Sequence, residues 1–315
     1  MSVFAQAKPQ HSGAEVLRNT HQISENTMRD LNHNLKQLCR QCREGSYATQ
    51  RNRERILTRA ANELHAMGYR KMQAKSLKPK HIEALVQHWQ DRGLSTGTIK
   101  NRMAAIRWWA VKVNKRNVMA NSNEYYGIPD RRFVTNQSKA KDLTQHQLDK
   151  VKDEHVRMSL ELQRAFGLRR EEAMKFTPSH ADRKDHIQLK ASWTKGGKPR
   201  AIPIRIEAQR EVLNRARRLA GFGSLIPPHR SYVQQLRVYE GNTTRAGLSN
   251  MHGLRHAYAQ ERYEELTGWK CPATEGPDRT ALNPEQKELD HQARLIISQE
   301  LGHEREQVTT AYLGR

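Results

Sequence analysis

From Met28 to Val113, apolar side chains return every three or four positions, and glycines stand where runs stop. Met28, Leu31, Leu35 and Leu38 form the first stripe, in a helix expected over 14–42. Gly45-Ser46 breaks it, and Ser46 is placed to cap a second helix whose Ile56, Leu57, Ala60, Leu64 and Met67 share a face before Gly68. Ile82, Leu85, Val86 and Trp89 define a third helix from Pro79 to Arg92. Ser95 or Thr96 opens a fourth, with Ile99, Met103, Ile106, Ala110 and Val113 inward. Trp108 and Trp109 read as core and rim rather than as base-stacking groups. Such a pattern buries its stripes helix against helix. Residues 14–116 are therefore expected to form a small four-helix domain, preceded by a loose tail at 1–13.

Residues 117–141 lack periodicity, contain Asn, Ser, Gly and Pro, and read as a linker. A second domain is expected at 142–315, with Thr144 capping its first helix and a longer helix from Glu154 to Phe166. His186–Trp193 and Ala201–Ile206 read as two strands around a Gly196-Gly197 turn. Helices are expected at about 207–220, 231–239, 252–266, 284–301 and 306–312. The fold class is thus mainly α, of α+β type: a helical domain followed by a mostly helical one with a small antiparallel sheet.

Charge points to the partner. Fifty-five Lys and Arg face 33 Asp and Glu, a net +22, which suits a polyanionic partner, by default a nucleic acid. A membrane surface is the rival, which the lack of a basic amphipathic anchor disfavours. The first 120 residues hold 22 basic and 8 acidic side chains, so much phosphate contact is expected there. Arg51 and Arg55, with Arg53 and Arg59, lie on the second helix; Lys100, Arg102 and Arg107, with Lys112, lie on the fourth. Each set is either a phosphate-binding face or an ordinary solvated one. Cys39, Cys42 and Cys271 are too few and too odd for a disulfide framework, and the C-x-x-C pair lacks the second pair a zinc site needs. With no apolar run long enough to span a bilayer and no signal peptide, a soluble cytoplasmic protein is expected, without metal or cofactor.

Two stretches carry the chemistry: His252-Gly253-Leu254-Arg255, and Leu301-Gly302-His303 followed nine positions on by Tyr312. Attack on a phosphodiester adds charge to oxygens that are already anionic, so fixed cations and donors must hold them. Arginine does so with a planar fork. A tyrosine hydroxyl, with a free pKa near ~10, needs a proton acceptor and a cationic setting before it attacks. Spaced three apart at a helix start, His252 and Arg255 share one face.

With two upstream blocks, Gly167-Leu168-Arg169-Arg170-Glu171-Glu172 and Thr194-Lys195-Gly196-Gly197 running on to Ile204, the chain resembles the tyrosine recombinases of the phage integrase family. The resemblance implies Arg169 and Arg255 as phosphate clamps. It implies Lys195, with Lys198 as competitor, as proton donor to the leaving 5′ oxygen. His252 becomes a proton acceptor or phosphate donor, His303 a donor to a non-bridging oxygen, and Tyr312 the nucleophile that forms a 3′-phosphotyrosyl link. Glu172 either orients the site or makes a plain ion pair with Arg169, and His256 reads as structural. The helical first part becomes a DNA core-binding domain. Four copies would act on two DNA sites with inverted half-sites, for a mobile element in a bacterial nucleoid, with an accessory DNA-bending or directionality protein as a further partner. A catalytically silent DNA-binding regulator and a type IB-like topoisomerase use the same residues and stay open. Two departures stand out. Arg255 and His303 are 48 positions apart, with a Gly-, Pro- and acid-containing stretch at 268–290 that reads as a surface loop or a protein contact. Only Leu313, Gly314 and Arg315 follow Tyr312, so docking of a tail on a neighbouring subunit is not expected.

Overall fold

The computed structural model describes residues 30–315; the expected loose stretch at 1–13 and the first part of the helix expected at 14–42 lie outside them. Two compact units divide the chain after Arg131. Among the described residues no helix is long and apolar enough to cross a membrane.

The first unit is helical: α1 (30–41), α2 (Tyr47–Ala66), α3 (Pro79–Asp91) and α4 (Thr96–Lys112). Ser46 and Ser95 accept hydrogen bonds from the Thr49 and Thr98 amides, satisfying donors that a helix start leaves over. The periodic apolar residues meet in one core of Leu31, Leu35, Leu57, Leu64, Ile82, Leu85, Trp89, Met103, Ile106 and Trp109. Trp109 is wholly buried, and Trp108 packs at the rim. The first half of the stretch read as a linker also packs here. Met119 and Ile128 are buried in this core, and Gln90 donates to the Tyr126 and Gly127 carbonyls.

One expectation on α4 needs correction. Arg102 is 7% exposed, lies 5.1 Å above the Trp89 ring and pairs with Glu63 at 3.1 Å, while Trp89 Nε1 donates to the same carboxylate at 2.7 Å. It is a core charge held by its partner, not a group free to meet phosphate. Lys100 pairs with Asp130 at 2.6 Å, Arg107 is half-buried, and Arg51 and Arg55 are exposed.

The second unit contains α5 (Gln145–Asp149), α6 (Glu154–Phe166), α7 (Arg170–Lys175), α8 (Pro178–Ala181), β1 (His186–Leu189), β2 (Arg200–Pro203), α9 (Glu207–Ala220), α10 (Tyr232–Arg245), α11 (Gly253–Thr267), α12 (Pro284–Glu300) and α13 (Thr310–Leu313). Thr144 caps α5 through the Gln147 amide. At the centre is α11, where every residue from Gly253 to Gln260 is buried; a helix packed on all sides shows no clean apolar stripe. Its Tyr258 and Tyr263 share a core with Leu162, Phe166, Phe176, Ile187, Ile202, Ile297 and Leu301.

The sheet is smaller than the sequence pattern suggested. β1 and β2 pair antiparallel over four residues each, from His186 opposite Pro203 to Leu189 opposite Arg200. Trp193 ends the first strand early by turning inward against Phe176 and His180, so Gly196-Gly197 lies inside a longer loop rather than forming a tight two-residue turn. The 268–290 stretch is not a plain surface loop either. Cys271 and Ala273 are buried in the main core beside Leu313, and a Cβ at Gly276 would lie 1.7 Å from the Lys270 carbonyl oxygen.

Candidate active site

The pocket is built where α6, α11, α12 and α13 end or begin. Gly167 closes α6 at φ +60°, and a Cβ there would meet the Tyr258 ring at 2.6 Å; only glycine fits. Its carbonyl accepts a hydrogen bond from Arg255 Nη1 at 2.5 Å, and the Leu301 carbonyl accepts one from Nη2. Nε of the same guanidinium donates to the Tyr312 hydroxyl at 3.2 Å, and Nη2 lies 3.4 Å from His303 Nε2. Arg255 is 1% exposed. Burial, then the positive charge of Arg169 and Arg200, lowers its pKa to about 10, so it stays charged near neutrality. Tyr312 is also buried, with its hydroxyl 3.5 Å from His303 Nε2.

Glu172 is the hub on the other side. It has no exposed surface. Arg200 Nη1 and Nη2 donate to its two oxygens at 2.9 and 2.6 Å, Arg169 Nη1 donates at 2.8 Å, and the Arg169 amide at 2.7 Å. Burial alone would raise its pKa; the Arg200 and Arg169 contacts outweigh that and hold it at about 2. Glu172 is therefore more than a partner to Arg169. It orders two arginines at once.

Arg200 had no role in the sequence reading. A signal was there, since Arg200 stands two residues before the buried Ile202 and so on the same inward face of a strand. A charge on that face requires a buried partner. Besides Glu172, its Nε donates to the Glu300 carbonyl at 2.9 Å.

The histidines surround Tyr312. The rings of His252 and His303 lie 6.0 and 6.1 Å from the tyrosine ring, and that of His256 lies 4.7 Å away. His256 is buried, and its Nδ1 has no hydrogen-bond partner among the described residues. Lys195 is exposed at the β1–β2 loop and lines a cleft of about 630 Å³ with Arg200, Gly302 and His303. Lys198 lines the same cleft but forms an ion pair with Glu304, which separates the two lysines. The fold thus brings Arg169, Glu172, His252, Arg255, His303 and Tyr312 into one cluster, with Lys195 on the cleft that His303 also lines. Among the described residues no cluster of His, Cys, Asp and Glu could hold a metal ion.

Burial lowers the pKa of all three histidines, and neighbouring cations add to it; His256 and His303 fall to about 4. Both are neutral near pH 7, whereas each titrates near ~6.5 in an unfolded chain. Between those values the unfolded state binds more protons. Stability is then full above about pH 6.5 and is lost as pH falls toward 4. The melting temperature of the DNA-free protein should drop several degrees between pH 7 and 5, and less in a His256→Gln, His303→Gln double variant. An equal drop in both proteins would remove these rings as the cause.

Two family models match: phage integrase, N-terminal, over residues 28–118, and integrase over residues 130–261. Together they span well over half of the chain. Solved structures share the fold at low identity. A λ integrase tetramer bound to a Holliday junction is 15% identical with a TM-score of 0.56, over 96% of this chain and 81% of that one. The Tn1549 transposon integrase in complex with circular intermediate DNA is 14% identical with a TM-score of 0.53, over 90% of this chain and 95% of that one. The XerH recombinase bound to palindromic difH, in a post-cleavage complex, is 16% identical with a TM-score of 0.55, over 94% and 85%. No curated protein sequence matches.

These findings define a site-specific DNA recombinase. More narrowly, the chain belongs to the tyrosine recombinases of the phage integrase family. The integrase match ends at residue 261, so the placement of His303 and Tyr312 rests on the geometry above.

Proposed function

We propose that this recombinase cuts and rejoins DNA through a 3′-phosphotyrosyl intermediate on Tyr312, as the integrase of a mobile element. The observation that carries the reading is the Tyr312 hydroxyl, 3.2 Å from Arg255 Nε and 3.5 Å from His303 Nε2 of its own chain, which favours cleavage in cis. A phosphate seated there meets Arg255 and Arg169 as cations and a histidine as donor. A neutral His252 or His303 takes the phenolic proton as the oxygen attacks phosphorus. Lys195 supplies a proton to the departing 5′ oxygen. The phosphoester bond energy is kept, so a 5′ hydroxyl of a second strand reverses the step without ATP.

The helical unit up to Arg131 is then the DNA core-binding domain, and the rest the catalytic domain. The λ integrase tetramer on a Holliday junction supports four copies on two DNA sites, and the transposon integrase supports the mobile-element role.

A nicked duplex carrying inverted half-sites tests the reading, because loss of the short cleaved strand traps the adduct. The native protein should form a covalent complex, and Tyr312→Phe none, at equal DNA affinity. Tight binding without adduct from the native protein would establish the regulator instead. Relaxation of supercoils without exchange between two sites would establish the topoisomerase.

A further inference from the structure

α13, which carries Tyr312, is four residues long. One helical turn has little stability of its own, yet an attacking oxygen misplaced by about 1 Å slows a reaction severely. Something else must hold it. The backbone at Tyr312 and beyond it is tied, directly or through Gln260, to one stretch, residues 136–141, which follows the first unit in the chain. Asn136 Nδ2 donates to the Arg315 carbonyl at 3.0 Å, and the Arg315 amide donates back to Asn136 Oδ1 at 2.9 Å. Ser138 Oγ donates to Gln260 Oε1 at 2.9 Å, and Gln260 Nε2 donates to the Tyr312 carbonyl at 2.9 Å. At the far end the Lys141 amide donates to the Gly253 carbonyl at 3.0 Å, beside His252. The strap lies flat on α11: a Cβ on Gly253 would come within 2.6 Å of Lys141 Cγ and 2.7 Å of the Lys139 oxygen.

We propose that Asn136 and Gln260 are positioning residues for the nucleophile, the strap at 136–141 clamping the backbone around Tyr312 within a single chain. This rests on Tyr312 being the nucleophile. Neither side chain reaches the reacting atoms; each acts through the main chain of 312–315. Asn136 is suited to the task because its φ of +48° lies in the left-handed region, which asparagine tolerates better than most residues. Its amide supplies both a donor and an acceptor, matching one residue's carbonyl and N–H. Gln260 does the same between Ser138 and Tyr312.

Asn136→Gly is the informative variant, since glycine keeps the positive φ without strain and removes both hydrogen bonds. Single-turnover formation of the adduct on the nicked duplex should slow by about tenfold, the scale of one or two lost hydrogen bonds. DNA affinity and melting temperature should stay close to native. Asn136→Asp, which keeps the acceptor for the Arg315 amide but sets a carboxylate oxygen against the Arg315 oxygen, should be no faster than Asn136→Gly. Gln260→Glu, which keeps the acceptor but loses the donor to Tyr312, gives an independent reading and should slow the same step. If native protein forms the adduct and both Asn136→Gly and Gln260→Glu form it at the native rate, the clamp is overturned while the phosphotyrosyl reading stands. A parallel fall in affinity, melting temperature and rate overturns it in favour of a general structural role. If native protein forms no adduct, the reading beneath it falls instead.

Discussion

Glu172→Ala will destabilise the second unit by about 4 kcal/mol, the range found when one member of a buried ion pair is removed. The carboxylate has no exposed surface and accepts from two guanidinium groups and an amide. Without it, Arg200, 9% exposed, keeps only the Glu300 carbonyl as partner, and Arg169 loses its anchor beside the pocket. Two like charges are then left without the carboxylate that joins them. Glu172→Gln should cost less, about 2 kcal/mol, since the amide oxygen still accepts but the charge is gone. Denaturant midpoints at pH 7 measure both. The pH dependence is a second check. A carboxyl held at about 2, against an unfolded value near ~4.3, contributes fully above about pH 4.5 and loses its contribution as pH falls toward 2. Phosphate in the pocket would replace part of the missing charge, so DNA should stabilise Glu172→Ala more than it stabilises the native protein. A loss under 1 kcal/mol would mean that water takes over the arginines, and that Glu172 is no hub.

What the sequence could and could not reveal follows from the range of each interaction. Helix starts are local events: Ser46, Ser95 and Thr144 cap amides three residues away, and each was legible. His252 and Arg255 are one helical turn apart, so their shared face was legible too. Arg102 was misread because its partner, Glu63, lies 39 residues away, and a charged residue in a helical pattern does not announce a distant carboxylate. Arg200 was missed for a related reason: Glu172 is 28 positions upstream, and only strand parity hinted at an inward charge. The strand ends were set by Trp193 turning into the core, a packing outcome that alternation does not encode. The 268–290 stretch looked like a surface loop because its Gly, Pro and acidic residues outnumber Cys271 and Ala273. Those two sit in the core beside Leu313, which helps to fix the segment carrying Tyr312.

Arg255→Lys will lower adduct formation by about 10³-fold while leaving DNA affinity within a few-fold of native. The charge is kept, so the long-range attraction to the backbone survives. The fork is not. One guanidinium spans the Gly167 carbonyl, the Leu301 carbonyl and the Tyr312 hydroxyl, three acceptors on three separate elements. An ammonium is a point donor and reaches at most some of them. With both terminal nitrogens tied to main-chain carbonyls, the guanidinium plane is fixed before DNA arrives, and each terminal nitrogen keeps a second hydrogen. That fixed plane is what a phosphate gaining charge requires, and loss of a single preorganised donor of this kind costs about 10²–10³ in rate. Burial adds to the effect, because a compact, strongly hydrated ammonium regains less of its lost water shell from these carbonyls than a guanidinium does. Adduct formation on the nicked duplex, timed beside equilibrium binding to the same duplex, separates the two contributions. A rate within tenfold of native would make Arg255 a strut between α6, α11, α12 and α13, and would move the task of holding the phosphate to Arg169 and the histidines.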